Sequence, residues 1–158
     1  MVEEGIRSMT ATGHAVIGTV IAAKIGNPAL AIPIAFASHF VADMIPHWDT
    51  ATNSRKKTRK KIFIESGIDV MISYIVSFVL VSFFFPQTSL SYAYLMVFMA
   101  QLPDWLMAPY YFFRIKFPLC IYAYRIQKNI FDHKLDKPWG IINQVVAVSL
   151  TVLVGKLL

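Results

Sequence analysis

The sequence predicts an all-α protein: a polytopic bundle of about five transmembrane helices with one further helix lying on the membrane surface. Two observations lead there. The 158 residues are 56% hydrophobic and only 15% charged, against about 25% charged in an average soluble domain. The mean hydropathy is +0.55, and the apolar residues are gathered into long runs. A bilayer core of about 30 Å takes roughly 20 apolar residues per helix. Four runs meet that length: Pro28–Trp48, Ile62–Phe85, Ser91–Phe113 and Trp139–Leu158.

A fifth span is expected over Ile6–Ile25. Its strongly apolar part starts only at Ala15, but Asn27-Pro28 turns straight into the next run. Pro33, Pro46, Pro103 and Pro109 fall inside spans, where neighbouring helices can satisfy the carbonyls that proline frees. Phe117–Asp132 mixes apolar and basic residues, the composition of a helix on the cytoplasmic surface. The whole chain reads as one integral membrane domain. The acidic start Met1–Glu4 lacks the pattern of a removable signal peptide. The single cysteine, Cys120, excludes an intrachain disulfide and an all-Cys zinc site.

Orientation follows from lysine and arginine. Arg7, the six basic residues between Arg55 and Lys61, and the six between Arg114 and Lys137 make thirteen of the fifteen. In a five-span arrangement all thirteen face one side, leaving Lys24 and Lys156 opposite. The N-terminus is therefore expected in the cytoplasm and the C-terminus outside, in a cell inner membrane. The net charge of +6 is then a topology signal with attraction to anionic phospholipids. Nucleic acid is not implied as a partner.

Ionisable residues inside spans are costly, so each is a functional candidate. His14 lies on the first span. His39 and Asp43 lie on the second, with His47 at its end, and the spacing of four puts all three on one stripe. Glu65 and Asp69 repeat that spacing on the third span, and Asp104 lies on the fourth. Counted along the helix rise, His14, His39, Asp43, Glu65, Asp69 and Asp104 all sit roughly 5–15 Å inside the cytoplasmic face. Asp49 and His133 fall in basic stretches and read as loop residues. Ile45-Pro46-His47-Trp48 and Leu102-Pro103-Asp104-Trp105 hint at two duplicated hairpins facing one site.

Carboxylates with imidazoles and no thiolate suit a divalent metal ion such as Zn²⁺, Mn²⁺, Fe²⁺ or Mg²⁺. The expected ligands are His39, Asp43, Asp69 and Asp104. Glu65 is the expected general base, and His47 and His14 the remaining catalytic candidates. No GxSxG, HExxH or P-loop motif occurs.

At Gly13-His14, at the small-residue helix ending in Asp43 and Pro46-His47-Trp48-Asp49, and at Leu102-Pro103-Asp104, the chain resembles the YdjM-like predicted membrane-bound metal-dependent hydrolases. The resemblance covers most of residues 13–110. It implies a helical membrane protein with metal-assisted hydrolytic activity, and it carries over His14, Asp43, His47 and Asp104. The chain departs from the pattern where Pro46 is followed by His47-Trp48 before Asp49, and where Arg55–Lys61 replaces a Thr-His-Ser segment. The expected function is hydrolysis of a lipid phosphoester at the cytoplasmic membrane interface. A cation or proton transporter and a non-catalytic membrane scaffold are the alternatives. Against transport, the polar groups stop at one leaflet and Ile75–Phe85 is continuously apolar.

Overall fold

In the computed structural model the described residues are 9–49, 57–130, 135 and 137–157. They form six helices and no strand: α1 (Ala11–Lys24), α2 (Pro28–Asp43), α3 (Arg59–Phe83), α4 (Leu90–Phe113), α5 (Pro118–Ile130) and α6 (Trp139–Leu157). The start of the first predicted span, Arg7, Arg55, Lys56, the last two residues of the predicted surface helix, His133 and Lys134 lie outside the described residues.

The helix ends follow from local chemistry. Thr10 caps α1 by accepting the amide N–H of Gly13 at 3.2 Å. Asn27 caps α2 through Ala29, and Pro28 occupies the first turn, where its missing N–H costs nothing. Thr58 caps α3 through Lys61. Arg114 closes α4 in the left-handed conformation, φ 59°. Pro118 opens α5.

The all-helical expectation holds, and the lengths refine it. Among the described residues, α3 and α6 are long and apolar enough to cross a membrane. At 14 and 16 residues, α1 and α2 extend only about 21 and 24 Å. The second helix stops at Asp43 rather than Trp48, because Pro46 brings no N–H and biases Ile45 away from helical geometry. His47 is thereby taken off the stripe shared by His39 and Asp43. The two proline motifs also differ in conformation: Ile45–Trp48 follows the end of α2, whereas Leu102–Trp105 lies within α4.

Short as it is, α1 occupies the middle. It packs against α2, α3, α4 and α6, while α4 packs against α2, α3 and α5. Small residues permit this crowding. Ala22, Ala31, Ala35, Ala93 and Ala100 join Val81 and Met96 in the main core cluster. A Cβ on Gly18 would stand 2.8 Å from the Met96 carbonyl oxygen of α4, and one on Gly155 of α6 would stand 2.6 Å from Val20 Cγ1. Overpacking of this kind typically costs about 1–3 kcal/mol, occasionally more. We expect Gly18→Val to exceed that range, since the obstacle is backbone, and to lower the thermal midpoint in detergent sharply.

The outside is as apolar as the inside. Met71, Ile75, Phe78 and Phe83 on α3 are exposed, and so are Ile142, Val145, Val146, Leu150 and Leu153 on α6. Continuous apolar surface on this scale marks a face made for something other than water. The second short helix contributes to it with Leu30, Ile34 and Val41. By contrast α5 is two-sided, with Leu119, Tyr122 and Ile126 outward and Cys120, Tyr124 and Gln127 buried.

Candidate metal centre

Beneath the first turn of α1 lies a cluster of four ionisable side chains drawn from three helices. His14 comes from α1, His39 and Asp43 from α2, and Asp104 from α4. His14, His39 and Asp43 are fully buried, and the Asp104 side chain is 27% exposed. The two imidazoles stack with centroids 4.1 Å apart and planes 18° from parallel. Asp43 faces both: its Oδ1 is 3.3 Å from His14 Nε2 and its Oδ2 is 3.2 Å from His39 Nε2. Asp104 Oδ1 lies 3.8 Å from His39 Nε2.

The ring of His39 is set from behind. Its Nδ1 stands 2.9 Å from the Ala100 carbonyl oxygen, which can only accept, so Nδ1 carries a proton and Nε2 is the ring nitrogen turned toward the acids. Nε2 pairs with Asp43 at 3.2 Å and lies 3.8 Å from Asp104. That separation fits an ion pair with a protonated ring and also two ligands of one metal ion. With bonds near 2.0–2.1 Å, neighbouring ligands in a tetrahedral zinc site stand about 3.3 Å apart. His14, His39 and Asp104 each present a ligand atom within 4.8 Å of the others, so the three form a group able to hold a metal ion.

Asp43 is fastened on both oxygens. Oδ1 accepts the backbone N–H of Met9 at 2.6 Å, and Oδ2 accepts from the Gln127 side chain of α5. A buried carboxylate so gripped cannot rotate, and its direction toward the two imidazoles is fixed.

The remaining predicted residues stand apart from this cluster. Asp69 reaches from α3 to the beginning of α1, where it accepts from the N–H of Ala11 at 2.6 Å, the N–H of Thr12 at 3.3 Å and the Thr12 hydroxyl at 2.6 Å. Those donors are otherwise unsatisfied at a helix start, and the helix dipole favours the negative charge there. Glu65 is half-buried and paired with Lys57 at 2.6 Å. His47 directs Nδ1 to the Ile45 carbonyl at 2.6 Å within its own turn. Asp69→Ala removes three hydrogen bonds from the end of α1. We expect a loss of roughly 1–3 kcal/mol, read as a lower thermal midpoint, with metal content at saturating metal unchanged.

Three glutamines escaped the sequence argument, and Asp49, read there as a loop residue, lies outside the helices but is buried. Gln127 holds Asp43, Gln101 donates to Ala11 O at 3.0 Å and Ser73 Oγ at 2.9 Å, and Gln144 donates to Thr10 Oγ1. Asp49 is 5% exposed and lines the same cavity as Asp69 and Asp104. The available signal was a neutral one: a glutamine within an apolar helix needs hydrogen-bond partners as surely as an acid does.

That cavity, about 330 Å³, is lined by α3, α4 and the start of α1, with Asp104 among its lining residues. Its walls are mostly apolar, with Ile62, Val70, Met107 and Phe112 among them.

Fold and centre together define an all-helical protein with a buried His/Asp group fit for a metal ion. No family model, curated protein or solved structure matches the chain.

Proposed function

We propose that the protein is an integral membrane metal-dependent hydrolase acting on a lipid phosphoester at the cytoplasmic interface, akin to the YdjM-like group. The observation that carries this reading is His39. Its Nε2 faces Asp43 at 3.2 Å and Asp104 at 3.8 Å beside the stacked ring of His14, a convergence of donors that a divalent cation would fit. His14, His39 and Asp104 would hold a divalent ion, and Asp43 stands close enough to both imidazoles to complete the set. Such an ion supplies Lewis-acid stabilisation of a phosphoryl oxygen and a water of lowered pKa.

The residues of the chain do the rest. Met9 and Gln127 orient Asp43, and Ala100 orients His39. The apolar cavity walls keep bulk water from the group, and Asp104, being partly exposed, stands between the buried imidazoles and the cavity. Glu65 and His47 remain the proposed proton carriers at the margin. The apolar outer faces of α2, α3 and α6 support the membrane setting. The basic loops support an N-terminus in the cytoplasm and a C-terminus outside.

Elemental analysis of the purified protein, followed by phosphate release from labelled lipid phosphomonoesters and diesters with and without chelator, tests the reading. We expect about one divalent ion per chain and chelator-sensitive release. Absence of bound metal after incubation with Zn²⁺, Mn²⁺, Fe²⁺ and Mg²⁺ would refute it.

A further inference from the structure

We propose that α5 is a lever worked by an anionic phospholipid surface: its outer face rests on the lipid, and its inner face passes that contact through Gln127 to Asp43. The lipid contact stands on the outer face of α5, and the link to Asp43 on a buried hydrogen bond. Only the consequence for metal binding rests on the metal reading above.

The outer face fits one partner. Leu119, Tyr122 and Ile126, three and four apart, make one exposed apolar stripe on α5. Phe113, Ile115 and Phe117 lead into it from the end of α4 and are exposed as well. Lys116 and Arg125 are exposed beside them. Between Asp104 and Asp132 the chain carries Arg114, Lys116, Arg125 and Lys128 and no acid. An apolar stripe edged by cations alone suits a helix lying in the plane of an anionic bilayer, its apolar side chains reaching below the headgroups. A soluble acidic protein would answer the charge but not a stripe continuous with the exposed end of α4.

The inner face reaches the His/Asp group. Gln127 is 2% exposed and donates from Nε2 to Asp43 Oδ2. That carboxylate stands 3.3 Å from His14 Nε2 and 3.2 Å from His39 Nε2. One turn earlier, Tyr124 packs with Ile62 of α3 and Tyr111 of α4, both of which line the cavity. Apart from these contacts α5 packs along α4. Its seating is therefore set by a narrow inner face and by what its outer face rests on. A shift of α5 moves the Gln127 amide, and with it the direction in which Asp43 is presented to the imidazoles.

The test uses the full-length protein in nanodiscs of phosphatidylcholine, alone or with a third of it replaced by phosphatidylglycerol. Bimane on Tyr122→Cys, in a Cys120→Ser background, reports the outer face through quenching by aqueous iodide and by doxyl-labelled lipid. Competition with a calibrated chelator gives the Zn²⁺ affinity. Hydrogen exchange at Met9, whose N–H donates to Asp43 Oδ1 at 2.6 Å, reports the carboxylate without any metal. Gln127→Met keeps the volume and removes the donor. Lys116→Gln combined with Arg125→Gln removes charge from the outer face and leaves Gln127 in place.

We expect bimane in the anionic discs to be shielded from iodide and quenched by doxyl lipid, and less so in phosphatidylcholine alone. Met9 should exchange more slowly in the anionic discs. Anionic lipid gathers divalent cations near any surface, so the coupling is read as the gain of wild type over Gln127→Met. That excess in Zn²⁺ affinity should be about tenfold, the scale of a change in the group that supports a ligand. Gln127→Met should keep the lipid contact and lose the excess, whereas the paired outer substitutions should lose both. Iodide access to position 122 in both kinds of disc overturns the lipid surface and leaves the face to a soluble partner. Equal lipid responses of wild type and Gln127→Met, in affinity and in Met9 exchange, overturn the lever and leave the hydrolase reading standing. If Met9 exchange responds to lipid only when Gln127 is present while no metal binds to any of the proteins, the lever stands and the metal-dependent hydrolase falls.

Discussion

Asp43→Ala is expected to cost the protein both the metal proposed for the His/Asp group and its fold. The substitution removes the carboxylate that stands nearest both imidazoles among the described residues, at 3.3 and 3.2 Å. It also strands the Met9 N–H and the Gln127 side chain, which donate to it from two other segments. All of these groups are buried, so water cannot replace what is lost. Breaking a buried charge network by removing one partner typically costs about 3–5 kcal/mol, a large part of a small domain's stability. The measurement is thermal unfolding in detergent beside elemental analysis. Asp43→Asn is the informative companion. Its amide oxygen can still accept one of the two donors, so it should recover part of the stability while leaving the imidazoles without their charge partner. Wild-type stability in Asp43→Ala would mean that the cluster is not a structural keystone.

Asp104→Ala should divide the two properties that Asp43→Ala loses together. Its side chain is 27% exposed and lines the cavity, so its removal leaves no dry hole, and the buried His39, which loses this partner at 3.8 Å, keeps the nearer Asp43 at 3.2 Å. The fold should survive with a change of under about 1 kcal/mol, as for substitutions away from the core. Metal affinity should fall much further. Changing a residue that merely supports a ligand costs about 10–100-fold, and removal of a ligand itself should exceed that. Competition with a calibrated chelator gives the number. If Asp104→Ala binds metal as tightly as wild type, the ion is held by His14, His39 and Asp43 without it.

Much of this arrangement was legible in the residues. Apolar run length gave the helices, and ionisable groups in apolar surroundings singled out His14, His39, Asp43 and Asp104, which the fold brings within reach of one another. A spacing of four was a sound guide within a helix and a poor one beyond it. His39 and Asp43 share a face, but Pro46 follows too soon for His47 to join them. Depth was a cruder guide than direction. Asp69 lies near the right level and faces the start of α1 rather than the imidazoles. Nothing in a one-dimensional pattern shows that the nearest unsatisfied donors belong to another helix's first turn. Asp49 was read as a loop residue, which it is, but its burial was not legible: the segment after it is basic, whereas its neighbours in space are the cavity walls.

The opening turn of α1 has a consequence for the order in which the protein can be assembled. Its backbone groups are answered by Asp43, Asp69, Gln101 and Gln144, one from each of α2, α3, α4 and α6. On a nascent chain these partners emerge in that sequence, the last of them some 130 residues after the turn they complete. Early in synthesis, segment 11–24 therefore has a helix body but no settled beginning, and in an apolar environment an open N–H is a strong reason to stay near water or an insertion factor. Each arriving helix closes one more of these groups. His14, which closes the first turn of that helix, should reach its final register only when α6 is in place, so the His/Asp group is completed late although its first member precedes all the others in the chain.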